Sequence, residues 1–195
     1  MGQKPIVFID RDGTLNKEAG YINHLDNFEL YPFVFHGLRM LNVFDIYSVV
    51  ITNQAGVARG YFSESFLVKV HEKMVATIED NGAFLDGLYY CPHHKTSGKG
   101  KYAVDCNCRK PKTGLIEEAL KELKETVDTN RMYVVGDKFS DIYMGNKAGC
   151  KSILVKTGYG RGELENSDVN VPFTMTENFL TAVIWILKDL KLTDY

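Results

Sequence analysis

Five short apolar runs punctuate the chain: Ile6–Ile9, Tyr47–Ile51, Leu88–Tyr90, Met132–Val135 and Ser152–Val155. Each is too short for a helix and ends in polar or glycine-containing sequence, so each reads as a buried strand. The segments between them repeat apolar residues every three or four positions, the mark of a helix with one buried face. Phe33–Phe44 is the first such segment. Ser63–Asp80 follows, with Ser63 as N-cap before Glu64. Thr113–Glu125 and Ser140–Ala148 come next, the latter closed by Gly149 as a C-terminal glycine. Thr176–Leu190 ends the pattern, with Thr176 as N-cap and Glu177 in the first turn. Strands alternating with helices predict an α/β fold, a doubly wound parallel sheet with right-handed crossovers. Such sheets bind ligands outside the carboxyl ends of their strands, so chemistry is expected in the residues that follow each apolar run. No repeat, low-complexity stretch or long linker interrupts the pattern, and residues 1–195 are expected to form one domain.

At 45% hydrophobic residues the chain can build a substantial core, and a formal net charge of -2 gives no basic field for nucleic acid. No stretch approaches the roughly 18 apolar residues of a membrane span, and Met-Gly-Gln-Lys-Pro lacks the apolar region of a signal peptide. The cysteines are Cys91, Cys106, Cys108 and Cys150. Three of them cluster with histidines, which predicts a metal site in a reducing, cytoplasmic compartment rather than a disulfide framework. Cys91-Pro92-His93-His94 and Cys106-Asn107-Cys108 offer three thiolates and an imidazole, enough to close a tetrahedral Zn²⁺ site with no open position. The zinc is therefore expected to be structural. The intervening Lys95–Val104 is rich in Lys, Ser and Gly and could not pack unaided, so the metal would pin the whole 91–108 loop beside Arg109-Lys110. Cys150 reads as a buried thiol.

Ile6–Ile9 runs directly into Asp10-Arg11-Asp12-Gly13-Thr14-Leu15-Asn16. Turn chemistry alone tolerates Asp and Gly there. A calcium loop needs Glu at its twelfth position, and counting from Asp10 that residue is Tyr21. The second run leads into Thr52-Asn53-Gln54-Ala55-Gly56. Arg109-Lys110-Pro111 precedes a helix, and the fourth run leads into Gly136-Asp137-Lys138-Phe139-Ser140-Asp141. Asp-x-Asp-Gly-Thr, the threonine, the lysine and Gly-Asp-x-x-x-Asp, in this order, resemble the four motifs of the haloacid dehalogenase superfamily. Its members are mostly Mg²⁺-dependent phosphatases that work through an aspartyl-phosphate.

The resemblance implies Asp10 as nucleophile and Asp12 as general acid and base. Thr52 and Lys110 would hold the phosphoryl oxygens. Mg²⁺ would sit on Asp10, Asp137 and the backbone carbonyl of Asp12, with Asp141 in support. Asp12 also implies hydrolysis rather than ion pumping, because the superfamily's ATPases carry Thr at that place. Finer matches narrow the resemblance: Glu18-Ala19-Gly20-Tyr21, Thr52 through Gly60, Tyr89 through His94, and Cys106 through Pro111. They resemble the heptose bisphosphate phosphatases, a branch without a cap domain. About forty residues separate Asp10 from Thr52, enough for a loop and one crossover helix.

That branch implies His93 as the fourth zinc ligand and His94 as a loop residue. It implies substrate contacts at Glu18, Ala19, Gly20, Tyr21, Thr52, Asn53, Gln54, Ala55, Arg109, Lys110 and Lys138, with Arg109 forked onto the distal phosphate. The expected reaction removes the C7 phosphate of a heptose 1,7-bisphosphate, on the way to nucleotide-activated heptose for lipopolysaccharide or glycoprotein. The only expected partner is a small sugar bisphosphate, and the expected state is a monomer free of nucleic acid and membrane. Histidinol-phosphate phosphatases share Asp-Arg-Asp-Gly-Thr and the zinc knot and stand as the alternative enzyme. A zinc-stabilised binding module without catalysis stands as the non-enzymatic alternative.

Overall fold

A computed structural model describes residues 2–123, 126–165 and 170–193. Its strands are β1 (Lys4–Ile9), β2 (Tyr47–Asn53), β3 (Gly87–Cys91), β4 (Val127–Gly136), β5 (Lys151–Val155) and β6 (Thr174–Thr176). They form one sheet in the order β3-β2-β1-β4-β5-β6, every neighbouring pair parallel. That order reverses direction between β1 and β4, the topological switch point where doubly wound sheets place their ligands.

The helices are α1 (Phe33–Val43), α2 (Ala55–Arg59), α3 (Glu64–Asp80), α4 (Gly114–Glu122), α5 (Phe139–Lys147), α6 (Gly160–Glu165) and α7 (Phe179–Asp189). Side chains alternate across a strand, and β1 divides accordingly. Val7 and Ile9 join Val34, Leu38, Val70, Met74, Val183 and Ile186, so α1, α3 and α7 cover one face. Ile6 and Phe8 join Leu115, Ile116, Ala119 and Met144, so α4 and α5 cover the other. A strand covered on both faces has no polar side, which is why these runs read as continuously apolar. Between β1 and α1 the chain holds only loop and one short 3₁₀ turn, Leu25–Asn27. Among the described residues no helix is long and apolar enough to cross a membrane.

Ser63 caps α3, its hydroxyl accepting the Phe66 N–H at 3.1 Å. Gly149 closes α5 at φ 76°. Cys150 is buried, and burial pushes its thiol up to about 12. Several elements differ from expectation. Thr176 is not the cap of the last helix. It lies in β6, its carbonyl accepting the Lys156 N–H at 3.0 Å. Asn178 caps α7 instead, in a reciprocal box with Thr181, and Glu177 pairs with Lys156 outside the helix. The tertiary pairing of β6 won over a good local cap. β6 escaped notice because Thr-Met-Thr carries no apolar run, and α2 and α6 because five or six residues are too few to show a helical period. α4 stops at Glu122, and residues 124 and 125 of the expected segment lie outside the described residues.

Candidate active site

Asp10 follows the last residue of β1, Thr52 lies near the end of β2, and Asp137 follows the last residue of β4. In register Ile9 pairs with both Val50 and Val135, so these strand ends lie side by side. Lys110 arrives from the segment after β3 and is buried at 5% exposure. Its ammonium donates to Asp10 Oδ1 at 2.6 Å and to the Ile51 carbonyl at 3.0 Å, and lies 2.6 Å from Asp141 Oδ1. Two of its three protons are thus engaged in hydrogen bonds, and Asp141 adds an ion pair. Burial works against its charge, but Asp10 and Asp141 more than offset it, so its pKa is raised.

Asp10, Asp137 and Asp141 each bring a carboxylate oxygen within 4.8 Å of the others. Burial first, and then the Asp10 charge, push Asp137 and Asp141 above the usual carboxylate range. One ammonium cannot balance three buried carboxylates, and a divalent cation reverses such a shift. Asp137 Oδ2 accepts the Tyr159 N–H at 2.8 Å, whereas Oδ1 is buried without a hydrogen-bond partner. That orphaned oxygen and the hard donor set fit Mg²⁺. Backbone packs directly against Asp137. Gly13 and Gly158 both have positive φ, and a Cβ on either would lie 2.1 Å from Asp137 Oδ2.

The Asp12 carboxylate stands apart from this trio. It accepts from Arg11 Nη2 at 2.8 Å, Asn16 Nδ2 at 3.0 Å and Gln54 Nε2 at 2.7 Å. Burial opposes its charge, but Arg11 and these donors prevail, and its pKa is lowered. Gln54 Nε2 also donates to Thr52 Oγ1 at 2.9 Å, so one amide ties Asp12 to Thr52.

A cavity of about 320 Å³ opens over this floor. Asp10, Asp12, Thr52 and Lys110 line it, together with Glu18, Gly20, Tyr21, Asn53, Gln54, Ala55, Arg109 and Lys138. Ala19 is exposed and does not line it. The Asn53 amide is engaged by Lys110, accepting its N–H at 3.1 Å and donating to its carbonyl at 3.2 Å. Lys138 lies 3.4 Å from Glu18 Oε2 and 4.3 Å from the centre of the Tyr159 ring. Phe62, Ser140 and Tyr159 also line the cavity and were not anticipated. Gly158-Tyr159-Gly160, a turn signal just after the fifth apolar run, marks the place of Tyr159 in the sequence.

The second cluster is Cys91, His93, Cys106 and Cys108, whose ligand atoms lie within 4.8 Å of one another. Cys91 Sγ is 3.5 Å from Cys106 Sγ, and His93 Nδ1 is 3.4 Å from Cys108 Sγ. A tetrahedron with the usual zinc–sulfur bonds has edges of about 3.8 Å, so the arrangement fits Zn²⁺. The Cys91 sulfur and burial together push the Cys108 thiol up, a crowding of sulfurs that a bound cation offsets. Cys91 ends β3 beside Asn53 in register, which joins the cluster to the cavity wall. Arg109 Nη1 donates to the His93 carbonyl at 3.3 Å, so the loop also aims Arg109.

The HAD-hydrolase-like family model matches residues 107–182. A D-glycero-beta-D-manno-heptose-1,7-bisphosphate 7-phosphatase of Pasteurella multocida (strain Pm70) is 46% identical over 156 residues, 80% of this chain and 83% of the relative. The enzyme of that name from Escherichia coli (strain K12) is 39% identical over 155 residues, 79% of this chain and 80% of the relative. The crystal structure of a D,D-heptose 1,7-bisphosphate phosphatase from B. bronchiseptica, complexed with magnesium and phosphate, matches with a TM-score of 0.83 at 28% identity. It covers 95% of this chain and 99% of that one.

Proposed function

This chain belongs to the D-glycero-beta-D-manno-heptose-1,7-bisphosphate 7-phosphatase family of HAD-like hydrolases, and from that premise we propose how its residues act. It is a phosphoric monoester hydrolase acting on heptose bisphosphate. The finer reading is removal of the C7 phosphate, through an acyl phosphate on Asp10, from the beta anomer that its relatives' name specifies. The observation that carries it is the convergence of Asp10, Asp12, Thr52 and Lys110 on one cavity at the switch point of the sheet.

Asp10 attacks phosphorus in line with the departing sugar oxygen. In the free site Arg11 and the amide donors favour the ionised form of Asp12; the negative charge of the arriving phosphate favours its carboxyl form, which gives the leaving oxygen a proton and completes the hydroxyl. Lys110 supplies positive charge beside the attacking carboxylate, and Thr52 faces the oxygens on which charge gathers. Asp12, now ionised, takes a proton from the water that opens the aspartyl-phosphate and releases inorganic phosphate. Asp10 and Asp137, backed by Asp141, would hold Mg²⁺, which when bound neutralises phosphate oxygens and orients them. Glu18, Tyr21, Lys138 and Arg109 form the rim that meets the sugar and its second phosphate. Burial, with the nearby Arg109 and Arg59 charges, lowers the pKa of His94. We read residues 1–195 as one cytoplasmic, monomeric phosphatase domain with a zinc-pinned 91–108 loop.

A substrate panel tests the reading. Phosphate release is expected to favour heptose 1,7-bisphosphate over histidinol phosphate, and its beta anomer over its alpha. A preference for histidinol phosphate would select the alternative enzyme, a preference for the alpha anomer would overturn the anomer reading alone, and no Mg²⁺-dependent release on any sugar phosphate would select the non-catalytic module. Arg109→Ala is expected to lower kcat/KM on the bisphosphate by about 10–100-fold, the worth of one hydrogen bond to a charged group. On the 7-monophosphate the same variant is expected to lose far less. Equal losses on the two substrates would detach Arg109 from the distal phosphate.

Cys106→Ala is expected to abolish stoichiometric zinc and to speed proteolysis within Lys95–Val104, because that segment is largely exposed and the metal would hold both its ends. Unchanged zinc by elemental analysis would remove Cys106 from the ligand set.

A further inference from the structure

Arg11 stands between the two catalytic aspartates and is 2% exposed. Burying a guanidinium is costly unless its donors are matched. Here they are matched on one residue of the site and one remote from it. Nη2 lies 2.8 Å from both Asp12 oxygens, and Nε lies 3.2 Å from Oδ1. Nη1 lies 3.0 Å from Nε2 of His71, on α3. Arginine can only donate, so His71 Nε2 is the acceptor and the ring is neutral. The His71 ring packs 5.3 Å from that of Tyr90 on β3, and the guanidinium carbon lies 6.0 Å from the centre of the Phe28 ring.

We propose that Arg11 and His71 are positioning residues for the acid–base step: His71 fixes the guanidinium, and its planar fork fixes the carboxylate of Asp12. This rests on the reading of Asp12 as the proton donor. A proton donor works only within hydrogen-bond reach of the leaving oxygen, and small misplacements are expensive. Asn16 and Gln54 touch one Asp12 oxygen each, whereas the guanidinium spans both.

The test compares kcat/KM on heptose 1,7-bisphosphate with kcat/KM on 4-nitrophenyl phosphate. This ratio reports the steps up to breaking of the phosphorus–oxygen bond. A sugar alkoxide needs a proton to leave, and nitrophenolate does not. Asp12→Asn sets the reference and is expected to lose far more on the sugar. His71→Leu and Arg11→Met are expected to lose about 10–100-fold on the sugar, part of the ~10²–10⁴ that general acid catalysis supplies, and at least tenfold less on the aryl ester. His71→Gln, which keeps an acceptor, is expected to recover most of the loss.

Equal losses on both substrates, or full activity in His71→Leu, would overturn the proposal while leaving Asp12 as the donor. If Asp12→Asn itself shows no leaving-group dependence, the acid–base reading fails first. Should Arg11→Met not fold, the two His71 variants decide. Loss of folding in both of those would also overturn the proposal, since the contact would then be structural.

Discussion

Asp10→Asn is expected to cut turnover by at least about 10⁴-fold, the scale of losing a catalytic nucleophile, while the protein stays folded. The amide cannot attack phosphorus, so acid-quenched protein should retain no covalent phosphate from labelled substrate. The fold should survive for a specific reason. Asp10 is one of three carboxylates crowded behind one ammonium, and its charge helps push Asp137 and Asp141 up. Removing that charge relieves the crowding, and the amide oxygen can still accept the Lys110 proton that Asp10 Oδ1 accepts at 2.6 Å. A thermal melt should therefore match or exceed that of the unmodified chain. Full phosphate release in the variant would remove the nucleophile assignment, and a collapsed melt would remove the electrostatic account.

Lys110→Met is expected to fail in the opposite way, losing both catalysis and stability. The ammonium is the only side chain within contact of Asp10, Asp141 and the Ile51 carbonyl together among the described residues. Without it those groups face the interior unpaired, at a cost of about 3–5 kcal/mol. For a chain of this size that corresponds to a melting temperature roughly 6–20 °C lower. The melt is best followed in magnesium-free buffer, where no added cation compensates the carboxylates. Adding Asp141→Asn to Lys110→Met should recover part of the loss, because the residues share one network. An unchanged melt for the single variant, or strictly additive effects in the double, would show that the buried pairs contribute little.

Much of the site could be read along the chain because each piece is locally coded. An apolar run that stops at a carboxylate says that the carboxylate sits at a strand end, and parallel strands align their carboxyl ends. Asp10, Thr52 and Asp137 were therefore legible before any contact was known, as was the Cys–His cluster, whose ligands come in close pairs. Other features depend on contacts between distant segments. Gln54 joins Asp12 to Thr52, and the Asn53 amide clasps the Lys110 backbone. Neither follows from a motif, because an amide's partners are set by what folds against it. The same holds for Tyr159 beside Lys138, for His71 on Arg11, and for Thr176, whose fitness as a cap lost to a strand pairing.

Sequence alone determined the strand–helix alternation, the order of the four motifs and the residue types of the two clusters that could hold a metal, because hydrophobic period and residue type act over a few positions. Tertiary structure alone decided which carboxylates share the buried ammonium, which oxygen of Asp137 is left without a partner, and where Asp12 points. Those outcomes depend on distances between segments far apart in the chain, and only the packing of helices on both faces of the sheet sets those distances.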